Sequence, residues 1–334
     1  MNSCVKSTTA KIVNTLRGRL SKSSTVRLLF LSIAISIISP SKSAFGALYV
    51  SAPNGSGVVS LAPSGTLYGG LSDGYPRGLA FDSAGNLYVA TSANHRIYKI
   101  DQTGSLSIFS SIFTSGLHDP FGLAFDAQGF LYVSNLGNDS ISKIASNGIG
   151  SAFIDSEDGI NAPTALAFDA TGYLYIANNS NSKIYRASPA GIVDVFVDSP
   201  LLNDCQGLAF DSGGNLFAST AINSSILKIT PSASVSVFAD ASDGLIGPKA
   251  LAFNSTGTLY VGHGAGLIAE INQSGLRSNY ADIGNNASFG LADSSVQLPV
   301  PEPSASLLLI GGACFSLLRR LRANTPKKEK LDSI

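Results

Sequence analysis

The side chains of this chain that could do chemistry are three histidines, one cysteine away from the ends, a spaced series of aspartates and a few amides. His95, His118 and His263 are the natural candidates for a general base or a metal ligand, because imidazole titrates near neutrality and coordinates divalent ions. They stand at different places relative to the repeating pattern described below, so no ligand or base constellation is indicated. His263, within Gly262-His263-Gly264, is the one worth testing. Asp82, Asp126, Asp169 and Asp211 each begin an Asp-x-x-Gly segment. They could be taken for calcium ligands, but an aspartate opening a turn ordinarily accepts hydrogen bonds from its own backbone. Glutamates are scarce, with Glu157, Glu270 and Glu302 before the last 30 residues. Cys205 has no partner for a disulfide in the body and reads as a small buried residue. A metal site would have to draw Asn135, Asn178 and His263 together with acids such as Asp73 or Asp158.

The elements that must position these groups come from one motif written five times. PRGLAFDSAGNLYVATSANHRIYKI starts at Pro76, and related segments start at Pro120, Pro163, Cys205 and Pro248, with spacings of 44, 43, 42 and 43 residues. That period fits a four-stranded propeller blade. GLAF is a short first strand, Asp-x-x-Gly the turn with glycine at positive φ, and LYVA the second strand of a hairpin. RIYKI and its equivalents make the third strand; LSIFS, GSAFI, DVFVD and SVFAD make the fourth. The first two strands are almost continuously apolar, as expected of strands covered on both faces. Ala47-Leu48-Tyr49-Val50 matches a second strand with no first strand before it, and Phe289-Gly290-Leu291-Ala292-Asp293 matches a first strand with no second after it. Joined, they make one more blade. The fold expected is therefore all-β, a β-propeller of six four-stranded blades closed by N- and C-terminal strands, which leaves no open sheet edge inside the ring.

The repeats disagree at one place. The residue just inside each first strand is Arg77, Phe121, Thr164, Gln206 or Lys249, with Phe289 in the closing fragment. These side chains are expected at one mouth of the central channel, beside acidic glycine-containing connections such as 72–74, 157–159 and 242–244. A constant framework carrying variable rim residues is how scaffolds present binding sites; unconstrained variation leaves the same pattern.

Charge separates body from ends. Residues 1–46 hold seven Lys or Arg and no acid, and residues 304–334 hold six with two acids, leaving nine basic and 20 acidic residues between them, a net of about −11. Such a body would repel nucleic acid. Residues 1–46 read as an export signal with a long basic region, an apolar core at 28–38 and a small-residue cleavage site at Ala44-Phe45-Gly46. Either the start codon lies downstream of Met1 or the signal is extended. The apolar core is too short for a retained membrane helix. At the other end, residues 297–304 form a linker containing Val300-Pro301-Glu302-Pro303-Ser304. An apolar run follows at 305–318, and Arg319-Arg320 open a basic tail at 319–334. Fourteen residues of helix cover about 21 Å, short of a hydrocarbon core of about 30 Å.

Two resemblances follow from these residues. Pro-x-Gly-Leu-Ala-Phe-Asp-x-x-Gly-x-Leu-Tyr-Val-Ala over residues 47–296 resembles the NHL repeat and, more loosely, the gluconolactonase-like propellers. One departure is that Thr91, Asn135, Asn178 and Thr220 stand where many NHL repeats carry Asp. The ordered tail of Pro-Glu-Pro, short apolar run and twin arginine resembles a PEP-CTERM sorting signal, which implies recognition by an exosortase-type protease, transient membrane association and a place in the envelope or outside the cell. A plain tail anchor is the alternative. The function expected is a binding or interaction module with a protein, glycan or matrix polymer as ligand, without a cofactor and without nucleic acid. The competing reading, a metal-dependent lactonase or related hydrolase, is implied by the gluconolactonase resemblance and would take a divalent metal. The near-identical inner strands lean away from catalysis.

Overall fold

The computed structural model describes residues 48–52, 57–60, 67–68, 71, 74–264, 266–282 and 290–293, all within the unit formed by residues 46–334. The chain enters through β1 (Leu48–Ala52), β2 (Gly57–Ser60) and β3 (Leu67–Tyr68). Blade 1 is β4 (Pro76–Phe81), β5 (Leu87–Thr91), β6 (Arg96–Ile100) and β7 (Leu106–Ser111), and the helical turn α1 (Ile112–Ser115) leads to the next. Blade 2 is β8 (Pro120–Phe125), β9 (Leu131–Asn135), β10 (Ser140–Ile144) and β11 (Gly150–Ile154); blade 3 is β12 (Pro163–Phe168), β13 (Leu174–Asn178), β14 (Lys183–Ala187) and β15 (Val193–Asp198). Blade 4 is β16 (Cys205–Phe210), β17 (Leu216–Thr220), β18 (Ser225–Ile229) and β19 (Val235–Ala239). Blade 5 is β20 (Ala250–Phe253), β21 (Leu259–His263), β22 (Leu267–Ile271) and β23 (Arg277–Asp282), and β24 (Leu291–Asp293) ends the ring. Each set is a four-stranded antiparallel sheet, and the sixth has the order β24-β1-β2-β3. The ring is a six-bladed propeller. Its closure pairs Leu48 with Asp293, Tyr49 with Ala292 and Val50 with Leu291.

The turn chemistry is what the Asp-x-x-Gly pattern predicts. Asp82 accepts from Asn86 N at 2.8 Å, Asp126 from Phe130 N at 2.9 Å, Asp169 from Tyr173 N at 3.0 Å and Asp211 from Asn215 N at 2.8 Å. Each carboxylate is thereby committed to the hairpin between the first two strands of its blade.

Six separate apolar clusters hold the ring together, one between each neighbouring pair of blades. At the centre of most is an aromatic residue from the second strand, caught between its own blade's outer strand and the next blade's inner strand. Tyr132 meets Phe153 and Phe168 edge-on, with ring centroids 5.0 Å away in both cases, and Tyr175 and Phe217 repeat the arrangement. Edge-to-face pairs of this kind add about 0.5–1.5 kcal/mol beyond their burial. The exception is the seam with the closing strand, where Asp293 replaces the phenylalanine and Tyr260 keeps only Tyr280. The inner strands also approach closely. A Cβ on Gly122 would lie 2.2 Å from the Thr164 carbonyl oxygen, and one on Gly290 would lie 2.2 Å from that of Arg77; glycine is required at both.

Candidate functional site

Inner strands begin on one face of the ring, and each is entered through a residue held at positive φ: Tyr75 (48°), Asp119 (48°), Ala162 (50°) and Asp204 (55°), with Gly247 (51°) in blade 5. Left-handed backbone is costly for a side-chain-bearing residue, so something must hold it. The holder is the preceding blade. His95 Nδ1 accepts from Asp119 N at 2.9 Å, Asp139 Oδ1 from Ala162 N at 2.7 Å, and Ser224 Oγ from Gly247 N at 3.2 Å. All three acceptors belong to the residue just before a third strand, itself at positive φ where it is His95 (53°), Asp139 (52°) or Ser224 (48°). These clasps tie blades 1, 2 and 4 to the entrance of the next, and they place one histidine in structural service, with Nδ1 as its acceptor. His118 lies against His95, ring centroids 5.5 Å apart, a neighbourhood that sequence position alone does not reveal.

A second buried ring lies at the ends of the second strands: Thr91, Asn135, Asn178, Thr220 and His263, all at 0–1 % exposure. Asn135 Oδ1 accepts from His118 N at 3.1 Å, and Asn178 Oδ1 accepts from Asn161 N at 2.7 Å. Thr220 shares a 2.7 Å hydrogen bond with Ser225. In blade 5, Arg277 on the outer strand reaches inward, and its Nη2 lies 3.1 Å from His263 Nε2. Burial, and then the nearby guanidinium charge, push the His263 pKa down to about 4. The imidazole is therefore neutral, accepts at Nε2 and carries its proton at Nδ1, which is buried without a partner. Asn135, Asn178 and His263 thus belong to three separate blades; the two asparagines serve their own loops, and His263 meets the outer strand of its blade.

The rim residues occupy the inner-strand entrance of five successive blades. Arg77 donates from Nε to Ser92 Oγ at 3.4 Å, and its guanidinium carbon lies 5.4 Å from the centroid of the Phe121 ring in the next blade. Thr164 is fully buried and its hydroxyl donates to the Cys205 carbonyl at 2.7 Å, tying blade 3 to blade 4. Gln206 donates from Nε2 to Asp204 Oδ1, while its Oε1 is buried without a partner. The backbone beneath the rim is clamped across blades, with Ser134 and Ser219 hydroxyls donating to the Thr164 and Lys249 carbonyls. Burial lowers the pKa of Arg77, with Asp119 opposing; burial and then the charge of Arg77 lower that of Lys249, with Asp204 opposing. Cys205, also at an entrance, is fully buried and its thiol is pushed up to about 12, which removes it as a nucleophile near neutrality.

A divalent metal held in the channel on carboxylates and amides does not fit this donor set. Two cationic side chains stand at the mouth, and the amide oxygens of Asn135 and Asn178, the atoms that would ligate, accept from loop backbone; among the described residues no three His, Cys, Asp or Glu side chains are grouped to hold an ion. Phe289 and Asp73 lie outside the described residues, as do the proposed signal at 1–46 and the tail residues Val300, Pro301, Glu302, Pro303, Ser304, Arg319 and Arg320.

The fold and this site define a six-bladed β-propeller with a polar, cation-bearing channel mouth. No family model and no curated protein matches the chain. Solved structures do match in fold, and they are propellers. Virginiamycin B lyase from Staphylococcus aureus aligns with a TM-score of 0.58 at 16% identity, covering 76% of this chain and 94% of that one. A chain of the nidogen/laminin complex aligns at 0.65 and 16%, covering 75% and 99%. A gluconolactonase from Xanthomonas campestris aligns at 0.54 and 18%, covering 64% and 77%. Enzymes and a chain of the nidogen/laminin complex thus share the architecture, and the site must speak for the function.

Proposed function

We propose that this protein is an exported binding module that engages its ligand at the channel mouth and reaches the cell envelope or exterior through its C-terminal sorting segment, with an exosortase-type protease as processing partner. The observation that carries the binding reading is the contrast at the inner-strand entrance. A framework repeated nearly residue for residue, clamped from blade to blade, presents Arg77, Gln206 and Lys249 at equivalent points, with Phe121 buried beneath the Arg77 guanidinium that it positions. Rigid presentation of dissimilar side chains suits recognition, because little ordering entropy remains to be lost on binding. The enzymes of similar fold do not tip the balance, since the groups here that could serve catalysis are committed to loops and clasps.

The test is an array of glycans and matrix polymers probed with the mature protein recovered from its native host, beside a Phe121→Ala variant. Binding that the variant loses is expected. Lactone hydrolysis restored by Ca²⁺, Mg²⁺, Mn²⁺ or Zn²⁺ and abolished by His263→Ala without unfolding would replace this reading with the hydrolase. The sorting segment is tested by the intact mass of the same material. Protein lacking Leu307 to Arg322 is expected, and protein retaining them would mark a plain anchor.

A further inference from the structure

We propose that an aliphatic row on the inner-strand face of blades 4 and 5, formed by Leu201, Ile222 and Ile246, is the contact surface for a polypeptide segment that presents apolar side chains beside Lys or Arg; this rests on the binding reading above and names the class of partner.

The three side chains are 41, 66 and 63 % exposed, and hydrogen bonds set them side by side. Asn223 Nδ2 donates to the Leu201 carbonyl at 3.0 Å on one side of the 221–224 loop, and Gly247 N donates to Ser224 Oγ at 3.2 Å on the other. Leu202 and Leu245, the chain neighbours of Leu201 and Ile246, are buried, so the row stands on anchored backbone. The fold does not ask for these residues. Ile222 occupies the loop position held by Ala93, Gly137 and Ser180 in blades 1, 2 and 3, and a stiff β-branched residue is a poor turn former. Ile246, just before the left-handed entrance residue, stands where the other entrances carry Gly74, His118, Asn161 and Asn203. Aliphatic side chains exposed singly are ordinary, but a contiguous set marks a contact surface.

Charge and side-chain type choose the occupant. The segments that carry the row, 199–204, 221–224 and 240–247, hold Asp204, Asp240 and Asp243 and no Lys or Arg. The guanidinium of Arg277, which comes up beneath the last of these segments, is turned to His263 Nε2, the Asn279 amide oxygen and the Asp243 carbonyl. A segment that sets Lys or Arg beside its apolar side chains complements such a surface, whereas an anionic lipid headgroup or a second copy of the same acidic face would be repelled. The row itself offers no aromatic ring on which a sugar could stack. A polypeptide supplies both the apolar and the cationic groups, and the anchored row would lose little ordering entropy on receiving it.

The experiment is fluorescence anisotropy of short dye-labelled alanine-based peptides carrying Leu and Lys, Leu and Gln, Leu and Glu, or Gln and Lys. They are titrated with the mature protein and with its Leu201→Ser, Ile222→Ser, Ile246→Ser, Asp243→Asn and Phe113→Ser variants, each checked for an unchanged melting temperature. The Leu-Lys peptide is expected to bind. Ile222→Ser or Ile246→Ser should weaken it about 10-fold or more, as loss of a central interface side chain does, and Asp243→Asn should weaken it less and flatten its salt dependence. Phe113 is 96 % exposed on the same face but outside the row, so Phe113→Ser should leave the affinity unchanged. Absence of binding of the Leu-Lys peptide, equal binding of the Leu-Glu or Gln-Lys peptide, or unaltered affinity in folded Ile222→Ser and Ile246→Ser would each overturn the proposal. So would Ile222-dependent binding to phosphatidylcholine vesicles, or Ile222-dependent self-association in sedimentation. If the peptide fails while a Phe121-dependent glycan is found on the array, only the polypeptide class falls; if both fail, the binding module falls with it.

Discussion

His263 offers a quantitative test of the blade architecture. Its ring is 1 % exposed and faces the Arg277 guanidinium. In blade 5 the mid-position of the third strand is Ala269, where blades 1, 3 and 4 carry Tyr98, Tyr185 and Leu227. The small residue leaves a path for Arg277. Protonating His263 would place two cations in contact at a buried site, and the pKa falls from an ordinary 6.5 to about 4. Because the folded value is depressed, the stability linked to the neutral ring is fully present above pH 6.5 and is lost as pH falls from there to 4. The shift of 2.5 pH units corresponds to about 3.4 kcal/mol at full effect. Solvent around the partly exposed Arg277 reduces that to about 2–3 kcal/mol, or about 4–12 °C in melting temperature for a ring of this size. Scanning calorimetry between pH 7 and 4 on the parent and on His263→Asn isolates the effect, because the carboxylates titrate in both. Asparagine is the resident at the equivalent positions 135 and 178. The variant should match the parent within about 1 kcal/mol at pH 7 and lose markedly less on acidification. Parallel curves for the two proteins would refute the reasoning.

Three further outcomes follow from packing. Truncation before Gly290 removes Leu291 and opens the ring, which should cost at least about 3 kcal/mol, whereas truncation after Pro303 should leave the melting temperature unchanged; equal values for the two would contradict closure by both termini. Gly122→Ala forces a Cβ against the Thr164 carbonyl and should destabilise by more than about 2 kcal/mol, while Ala165→Gly, at the equivalent place in blade 3, should cost about 1 kcal/mol or less, and denaturant midpoints will tell them apart. Asn135→Ala leaves the His118 amide without its acceptor, and a loss of about 1–3 kcal/mol is expected in urea unfolding.

Most of the ring could be read in the chain because its determinants are local. The Asp-x-x-Gly turns, the paired apolar strands and the two complementary fragments at Leu48 and Leu291 all declare themselves within a few residues, and the register of β1 on β24 is the one those fragments imply. The site is different in kind. His95 and His118 sit at unlike points of their repeats, yet they meet because the loop before a third strand abuts the entrance of the next blade. Arg77 and Lys249 are far apart in sequence and come to flank the same closing blade only once the ring forms. A signal was present for the clasp: His95, Asp139 and Ser224 all precede a third strand and all carry a polar side chain. Their common purpose becomes visible only with the left-handed backbone they hold. Four members of the buried ring, Thr91, Asn135, Asn178 and Thr220, were legible as a departure from Asp. That Asn135 and Asn178 hold loop backbone while His263 meets Arg277 depends on tertiary contacts.

The way the ring is fastened also sets how it bears load. Leu48, the first residue of β1, is opposite Asp293, the last of β24, so both chain ends leave from the same end of one antiparallel pair. Tension applied through the two termini pulls the strands apart from that end, breaking their bonds one after another instead of all at once in shear. Among the described residues three strand pairs and the Ser51 N to Gly290 O hydrogen bond stand in the way, and the seam they guard lacks the aromatic contact found between most other blades. Tethered at one terminus, the ring transmits no force across its own closure; tethered at both, it would yield there first, at low force, with blades 1 to 5 still folded.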